Sequence, residues 1–334
     1  MSNNRNVTYP LPIKIVGVGR YLPGRIVPSS ELEAKCGLPE GWCLRKQGVR
    51  ERRWVGDETI SFMGAEAARE AAADAGIKLT DIDLIITAAH SFEKAIPEDG
   101  PLIQQRLGLA GTGIPCLRVT AACVSFLAAL DVSASLLASG RYRNILIVTT
   151  EITTGKLDFS NPAVCTLMGD ASAAVVVVRT PPGEASGIHA VSMETYSEAS
   201  DISSVSGGVG HSTLFRNDVL ADDFVFDFDP QSVRAAGIKY NQKFLARLWP
   251  PANKDSFRLV IPNQASRLTI DFMKLSFPSD RVMSIIEQFG NCGAAGFPLA
   301  IYEAVKQGRI SRGDMVLLEG MTAGFTLMGI VLTY

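Results

Sequence analysis

Two stretches decide how this chain folds. Residues 123–151 read CVSFLAALDVSASLLASGRYRNILIVTTE, and residues 291–319 read NCGAAGFPLAIYEAVKQGRISRGDMVLLE. In each, a small-residue turn opens an apolar helix that stops at Gly-Arg, and an apolar strand ending at Glu follows. Cys123 to Gly140 and Asn291 to Gly308 both span 17 residues, and Gly140 to Glu151 and Gly308 to Glu319 both span 11. Four landmarks share an offset of 168, about half of the 334 residues, which predicts a duplicated fold. The consequence is chemical. A pseudo-two-fold axis would bring Cys123 and Asn291, each at a helix entrance, to one central site.

Working outward, Ile13 to Val18 reads as a strand and Ser61 to Ala75 as a helix stopped by Gly76. Asp83 to Ala88 is a short apolar run of buried-strand type. A helix around Leu102 to Leu107, a strand around Leu117 to Thr120 and a helix from Val124 to Ser139 come next. The β-branched runs Ile145 to Thr149 and Ala173 to Val178 close this half. Such alternation predicts a mostly parallel sheet covered by helices, an α/β architecture. Pro181, Pro182 and Gly183 punctuate the middle, so the halves are expected at 1–180 and 181–334. The polar segment Ser197 to Asp229 reads as a surface excursion. Helices near Val233 to Leu248, Ala265 to Leu275 and Phe297 to Lys306 follow, with strands Arg258 to Ile261, Met315 to Glu319 and Phe325 to Leu332.

Composition narrows the function classes. Charged residues are 20% against 47% hydrophobic, which excludes a disordered chain. Lys plus Arg (32) nearly balances Asp plus Glu (34), so no global basic field exists to make nucleic acid the main partner. The most apolar stretch, Val124 to Ala138, is interrupted by Ser125, Asp131, Ser133 and Ser135, and no membrane span is expected. Residues 1–9 lack the apolar segment of a signal peptide. The six cysteines show no CxxC pair, so neither a disulfide framework nor a metal site is expected, and a reducing cytoplasm fits. The GVG at Gly17 to Gly19 lacks the third glycine of a dinucleotide fingerprint, and no redox cofactor is indicated.

Cys123 lies between an apolar strand and a buried helix. At a helix N-terminus a thiol feels unpaired N–H groups and the positive dipole end, so a lowered pKa is expected. Its amide could also donate to a developing oxyanion. Position alone leaves a nucleophile and a small buried hydrophobe equally open; the other five cysteines read as packing residues. His90, His189 and His211 have no spacing that declares a role, and each reads as a surface or packing residue.

At these residues the chain resembles the thiolase-fold condensing enzymes, specifically β-ketoacyl-(acyl carrier protein) synthase III. The likeness runs through GVGRYLPGR near the start, GVRERR (Gly48 to Arg53), TAACVSF around Cys123 and MGDASAAVVV (Met168 to Val177). It continues in IPNQAS (Ile261 to Ser266), FGNCGAAG (Phe289 to Gly296) and LLEGMTAGFT (Leu317 to Thr326). The resemblance implies a duplicated five-layer αβαβα fold, a homodimer, and acylation of Cys123 by a thioester of CoA or acyl carrier protein before Claisen condensation. It assigns Asn291 to the Asn of a Cys–His–Asn triad and the N–H groups of Cys123 and Ala323 to the oxyanion hole.

The sequence departs from the family at residue 263, where Asn263 replaces the usual His. Its amide can polarise a carbonyl but cannot accept the thiol's proton. It reads as a retained donor, as a degenerate position in a non-condensing partner subunit, or as a His replacement introduced to trap a complex. By the same resemblance Ile96 stands where a bulkier Phe often reaches the neighbouring subunit's acyl pocket, and Glu98 near an acidic residue that some relatives supply across the dimer. Trp42 matches the residue stacking on CoA adenine, while the usual Arg partner is replaced by Pro162. Lys46 and Arg267, with Arg50, Lys274 and Lys243, suggest a basic rim suited to an acidic carrier protein. The leading expectation is C–C bond formation in polyketide or other specialised metabolism, joining for example two β-ketoacyl chains. Acyl transfer to an alcohol or amine, or a partner role beside an active ketosynthase, are the alternatives.

Overall fold

The apolar runs become strands buried on both faces, and this is what stacks the layers. The computed structural model describes residues 10–155, 157–205, 225–249 and 255–334. One sheet contains β1 (Lys14–Tyr21), β4 (Leu84–Thr87), β5 (Cys116–Arg118), β6 (Asn144–Glu151) and β7 (Ala171–Val178), in the order β1-β7-β6-β4-β5. A second contains β8 (Gly187–Thr195), β11 (Leu259–Pro262), β12 (Met315–Met321) and β13 (Thr326–Thr333), in the order β11-β12-β13-β8. Two small two-stranded antiparallel sheets pair β2 (Arg25–Pro28) with β3 (Glu51–Trp54), and β9 (Ser203–Val205) with β10 (Phe226–Phe228).

The two large sheets repeat one another. β6 runs parallel to β4 and antiparallel to β7, which pairs antiparallel with β1; β12 runs parallel to β11 and antiparallel to β13, which pairs antiparallel with β8. Strand alternation assigns side chains to three cores. Ile145 and Ile147 of β6 face the central core with Val316 and Leu318 of β12 and Ile330 of β13. Leu146 and Val148 face outward toward Ala67, Ala68 and Ala71. Leu317, Leu327 and Val331 face the opposite outer layer with Phe244 and Met273.

Helices α5 (Ser125–Ala138) and α10 (Gly296–Lys306) fill the central layer, contributing Phe126, Leu130, Phe297 and Ile301 to its core. Helix α3 (Ile60–Ala75) covers the first sheet, and α7 (Pro230–Leu248) with α8 (Arg267–Ser276) the second. Shorter helices lie in the connections: α1 (Ser29–Lys35), α2 (Trp42–Lys46), α4 (Asp99–Arg106), α6 (Pro162–Cys165) and α9 (Ile286–Phe289). The result is the expected α/β sandwich of five alternating layers. The GVG of β1 has a packing role: a Cβ at Gly17 or Gly19 would collide with the carbonyls of Ala71 or Ala67 on α3. Only glycine lets this helix lie so close.

The sheets are mixed rather than mostly parallel, because β7 and β13 each enter between two neighbours and pair antiparallel with both. Two further details differ from the sequence reading. First, β8 was not expected. Its sequence GIHAVSMET mixes polar residues into the strand because it is the edge of its sheet, paired along its length with β13 and on the other side only bridged at Ile188 by Leu11 among the described residues. Second, the sheets are not in register at offset 168. Pairing equates Ile145 of β6 with Val316 of β12, 171 apart, since each is the partner of the first residue of the adjacent parallel strand. Of the 197–229 excursion, a helical turn at Ser197–Ile202 and the antiparallel pair β9–β10 are described; His211 lies outside the described residues. No helix among them is long and apolar enough to cross a membrane.

Candidate active site

Four of the chemistry-bearing residues lie at or beyond the C-terminal end of a strand, where open α/β sheets gather ligands, while Asn291 follows the short helix α9. Cys123 follows β5, His90 follows β4, Glu151 ends β6 and Asn263 follows β11 directly. Ala122 adopts the left-handed region (φ 47°), an uncommon conformation for alanine, and this turn presents the Cys123 side chain before α5 begins at Ser125. The Ser125 hydroxyl donates to the Ala122 carbonyl (2.6 Å) and accepts from Ala121 N–H (2.9 Å), which fixes the turn.

Cys123 is half-buried, and its Sγ faces its own N–H, the N–H of Ala323 and the amide of Asn263. Burial, then the charge of Glu151, push the thiol up to about 11 in spite of those three donors. The thiolate expected from the helix dipole is therefore not the resting state. The helix starts two residues later, and desolvation outweighs its field.

Asn263 is 2% exposed. Its N–H donates to the Glu319 carbonyl (2.9 Å), extending the β11–β12 ladder, and its Nδ2 donates to Met321 O (3.0 Å). Its Oδ1 has no partner among the described residues. A Cβ at Gly320 would stand 2.7 Å from Asn263 Cβ and 2.9 Å from Phe297 Cζ, so the glycine of LLEGMTAGFT makes room for this side chain. Ala323 sits in the four-residue turn joining β12 to β13, closed by Phe325 N–H to Thr322 O (3.0 Å).

Asn291 is pinned from both sides. Its N–H donates to Leu167 O (2.8 Å), and its carbonyl accepts from Gly169 N–H (3.0 Å). Its Oδ1 accepts from Gly293 N–H (2.9 Å), while Nδ2 donates to Ala265 O (3.3 Å), tying this loop to the one carrying Asn263. A Cβ at Gly169 or Gly290 would strike the facing backbone, which explains the glycines of MGDA and FGN.

Sequence reasoning missed a dyad. Glu151 is fully buried and accepts from His90 Nδ1 (2.8 Å), His90 N–H (3.1 Å), Ser91 N–H (3.1 Å) and the Ser91 hydroxyl. Burial alone would raise its pKa, but His90 and these donors bring it below the usual carboxylate value. The Glu151 charge in turn raises the His90 pKa above 6.5. The only signal in the sequence was a His three residues beyond an apolar strand. His189, in contrast, bonds Thr333 Oγ1 (2.7 Å) on the edge of the second sheet.

The mouth residues separate into two groups. Trp42 opens α2, whose start is held by Glu33 accepting from Gly41 and Cys43 N–H (2.8 Å each). Arg267 lies against the same turn, with its N–H on Gln47 O (3.2 Å) and Nη1 on Arg45 O (3.0 Å), so Trp42, Lys46 and Arg267 share one rim. The rim is less positive than its composition suggested, because Glu287 pairs with Arg50 (2.6 Å) and Asp271 with Arg267 (3.3 Å) and Lys274 (3.9 Å). Ile96 is 89% exposed in the single chain. Glu98 precedes α4, next to Cys116. All six cysteines are free thiols, and no cluster of three or more His, Cys, Asp or Glu able to hold a metal ion occurs among the described residues.

Two stacked, repeated sheets enclosing paired central helices, with a cysteine turned out at the mouth of one of them, are the architecture of the thiolase-fold condensing enzymes. Comparison with known proteins narrows the class. Residues 117–197 match the family described as 3-oxoacyl-[acyl-carrier-protein (ACP)] synthase III, and residues 251–334 match its C-terminal region. The chain is 30% identical to a β-ketoacyl-[acyl-carrier-protein] synthase III of Aquifex aeolicus over 325 residues, covering 96% of this chain and 99% of that protein. A Rickettsia massiliae protein of the same name is 31% identical over 318 residues, 94% of this chain and 96% of that one. The crystal structure of the 3-oxoacyl-[acyl-carrier-protein] synthase III of Aquifex aeolicus superposes with a TM-score of 0.86 at 28% identity, over 96% of this chain and all of that one. The chain belongs to the β-ketoacyl-(acyl carrier protein) synthase III family of acyltransferases.

Proposed function

We propose that this protein forms a C–C bond by Claisen condensation of acyl thioesters, through an acyl-Cys123 intermediate, in polyketide or other specialised metabolism. The observation that carries the reading is the convergence on one half-buried sulfur of two backbone N–H groups, from Cys123 and Ala323, and the Asn263 amide. In the tetrahedral intermediate the backbone donors would hold the oxyanion, the role such fixed dipoles perform best in a desolvated site. Asn263 polarises the second thioester's carbonyl, and Asn291 holds the two loops in register. The replacement of His by Asn at 263 and the small Ile96 support a reaction other than fatty-acid initiation, such as joining two β-ketoacyl chains.

Acyl donors on CoA or on acyl carrier protein fit the rim of Trp42, Lys46 and Arg267, and the chemistry calls for no metal or redox cofactor. A homodimer is supported by the open edge of β5 and by the exposed apolar side chains Phe92, Ile96 and Leu117 beside it. Glu98 follows the same loop and would then face the partner's site. We place the boundary of the two halves near residue 180.

A second reading, acyl transfer to an alcohol or amine, is favoured by one atom. The unpartnered, buried Asn263 Oδ1 would accept a hydrogen bond from an O–H or N–H nucleophile, which a carbanion does not offer. The deciding experiment is intact mass after incubation with octanoyl-CoA and octanoyl-carrier protein, then product analysis with malonyl, alcohol and amine acceptors. An octanoyl adduct lost in Cys123→Ala is expected. No adduct from any donor would sink both enzyme readings and leave a non-condensing partner subunit.

A further inference from the structure

We propose that His90, held by Glu151, is the general base and acid of the acyl-Cys123 step, performing the proton transfer that residue 263 cannot. The proposal rests on the acyl-Cys123 reading. Its geometry starts from the buried carboxylate. The ionised Glu151 carboxylate can only accept, so the ring nitrogen facing it, Nδ1, carries a hydrogen, as do the other three groups around it. In the neutral ring Nε2 therefore keeps its lone pair, and it has no hydrogen-bond partner among the described residues. The arrangement of carboxylate, Nδ1–H and free Nε2 is the one that orients a basic imidazole elsewhere.

The ring borders the loop that carries Asn291, and its carboxylate partner acts on Cys123. A Cβ at Gly293 would stand 3.3 Å from His90 Cε1 and 3.3 Å from Glu151 Cδ, so the imidazole lies against the loop that carries Asn291. The Glu151 carboxylate is near enough to Cys123 to oppose its ionisation. The loop is fixed by Arg118, whose Nη2 donates to the carbonyls of Ala89 (3.2 Å), His90 (3.0 Å) and Ser91 (3.1 Å). The titratable and charged groups facing His90 are Glu151 and Arg118, the latter with its partner Asp99 (3.4 Å); Cys123 and Cys292 both lie within the field of the same Glu151 carboxylate. Glu151 dominates among them and makes the ring a stronger base than a free imidazole.

The step balances. As Cys123 Sγ attacks the thioester carbon, its proton passes to His90 Nε2, directly or through one water. The tetrahedral intermediate collapses, the bond from carbon to the departing sulfur breaks, and that thiolate takes the proton from the imidazolium. One C–S bond forms, one breaks, and His90 returns to its neutral form.

The test is rapid-quench intact mass with octanoyl-CoA as probe, from pH 5.5 to 9, on wild type, His90→Gln, and His90→Ala with and without added imidazole. The wild-type acylation rate is expected to rise through an inflection above pH 6.5. His90→Gln should be slower by roughly 10²–10⁴-fold and lose that inflection. Imidazole should restore part of the rate to His90→Ala, a recovery that a merely structural role would not give. A wild-type rate and profile in His90→Gln would overturn this proposal alone. Absence of any Cys123 adduct in the wild type would overturn it together with the reading beneath it.

Discussion

Replacing Glu151 by Gln should move two reactivities of the same site in opposite directions. The negative charge of Glu151 is the second cause, after burial, of a Cys123 thiol at about 11 rather than 9.0. That elevation corresponds to about 3 kcal/mol against the thiolate. Removing the smaller contributor should lower the thiol's pKa and make alkylation of Cys123 by iodoacetamide at pH 8 about three- to tenfold faster, since each pKa unit is worth tenfold in thiolate. The same substitution removes the charge that raises His90 and supports its Nδ1–H, so acylation by octanoyl-CoA should slow. The Gln amide would also turn an NH₂ toward two of the donors now satisfied by the carboxylate, at a cost of about 1–3 kcal/mol. Thermal melts therefore accompany the assay, and Glu151→Asp, which keeps the charge, serves as the conservative control. Rates are read by peptide mass at Cys123. If alkylation and acylation change together, or alkylation fails to accelerate in a folded Glu151→Gln protein, the electrostatic account of this site is wrong.

Gly320→Ala should drive a methyl into Asn263 and Phe297, lowering stability in urea by about 1–3 kcal/mol and slowing Cys123 acylation. Gly17→Ala should lower stability at least as much, by prising α3 from β1, while leaving the alkylation rate of Cys123 in the folded protein unchanged. Asn263→His should raise decarboxylation of malonyl-CoA, measured as CO₂ release; no increase would show that residue 263 has been repurposed. His90 has a folded pKa above its unfolded 6.5, so its ion pair stabilises fully below about pH 6.5 and fades as pH rises through the folded value. The thermal midpoint difference between wild type and His90→Gln should shrink over that interval.

The parts of the fold that were legible in the sequence are those where one segment carries its own signal. The run AAVVVV of β7, Ala173 to Val178, is apolar at every position because both faces are covered, and α3 announces its end with Gly76. The edge strand β8 and the β2–β3 pair were not legible. Their burial alternates or is slight, and β8 is held in place by distant partners, such as Thr326 opposite Thr195, 131 residues away. For the site, the motif around Cys123 and the loops at 263 and 291 could be read because each is a compact string. The dyad could not. His90 and Glu151 are 61 residues apart, on the ends of neighbouring parallel strands, and nothing local to either says that they meet.

The two glutamates that ended the quoted stretches show why sequence spacing alone misassigned part of the site. At offset 168 Glu151 and Glu319 look equivalent, yet strand pairing aligns the sheets at 171, and a shift of three reverses the face in a strand of period two. Glu151 consequently shares the inner face of β6 with Ile145 and Ile147 and reaches the catalytic layer. Glu319 shares the outer face of β12 with Leu317, beneath α7, where Asn241 is its neighbour and Oε1 has no partner among the described residues. The environments push the carboxyls apart. Four donors, an imidazole N–H among them, keep Glu151 ionised, whereas burial lifts Glu319 to about 8, neutral at physiological pH. A repeated fold thus supplies two buried acids of which one faces the sulfur, and the face, set by register, decides which of them can do chemistry.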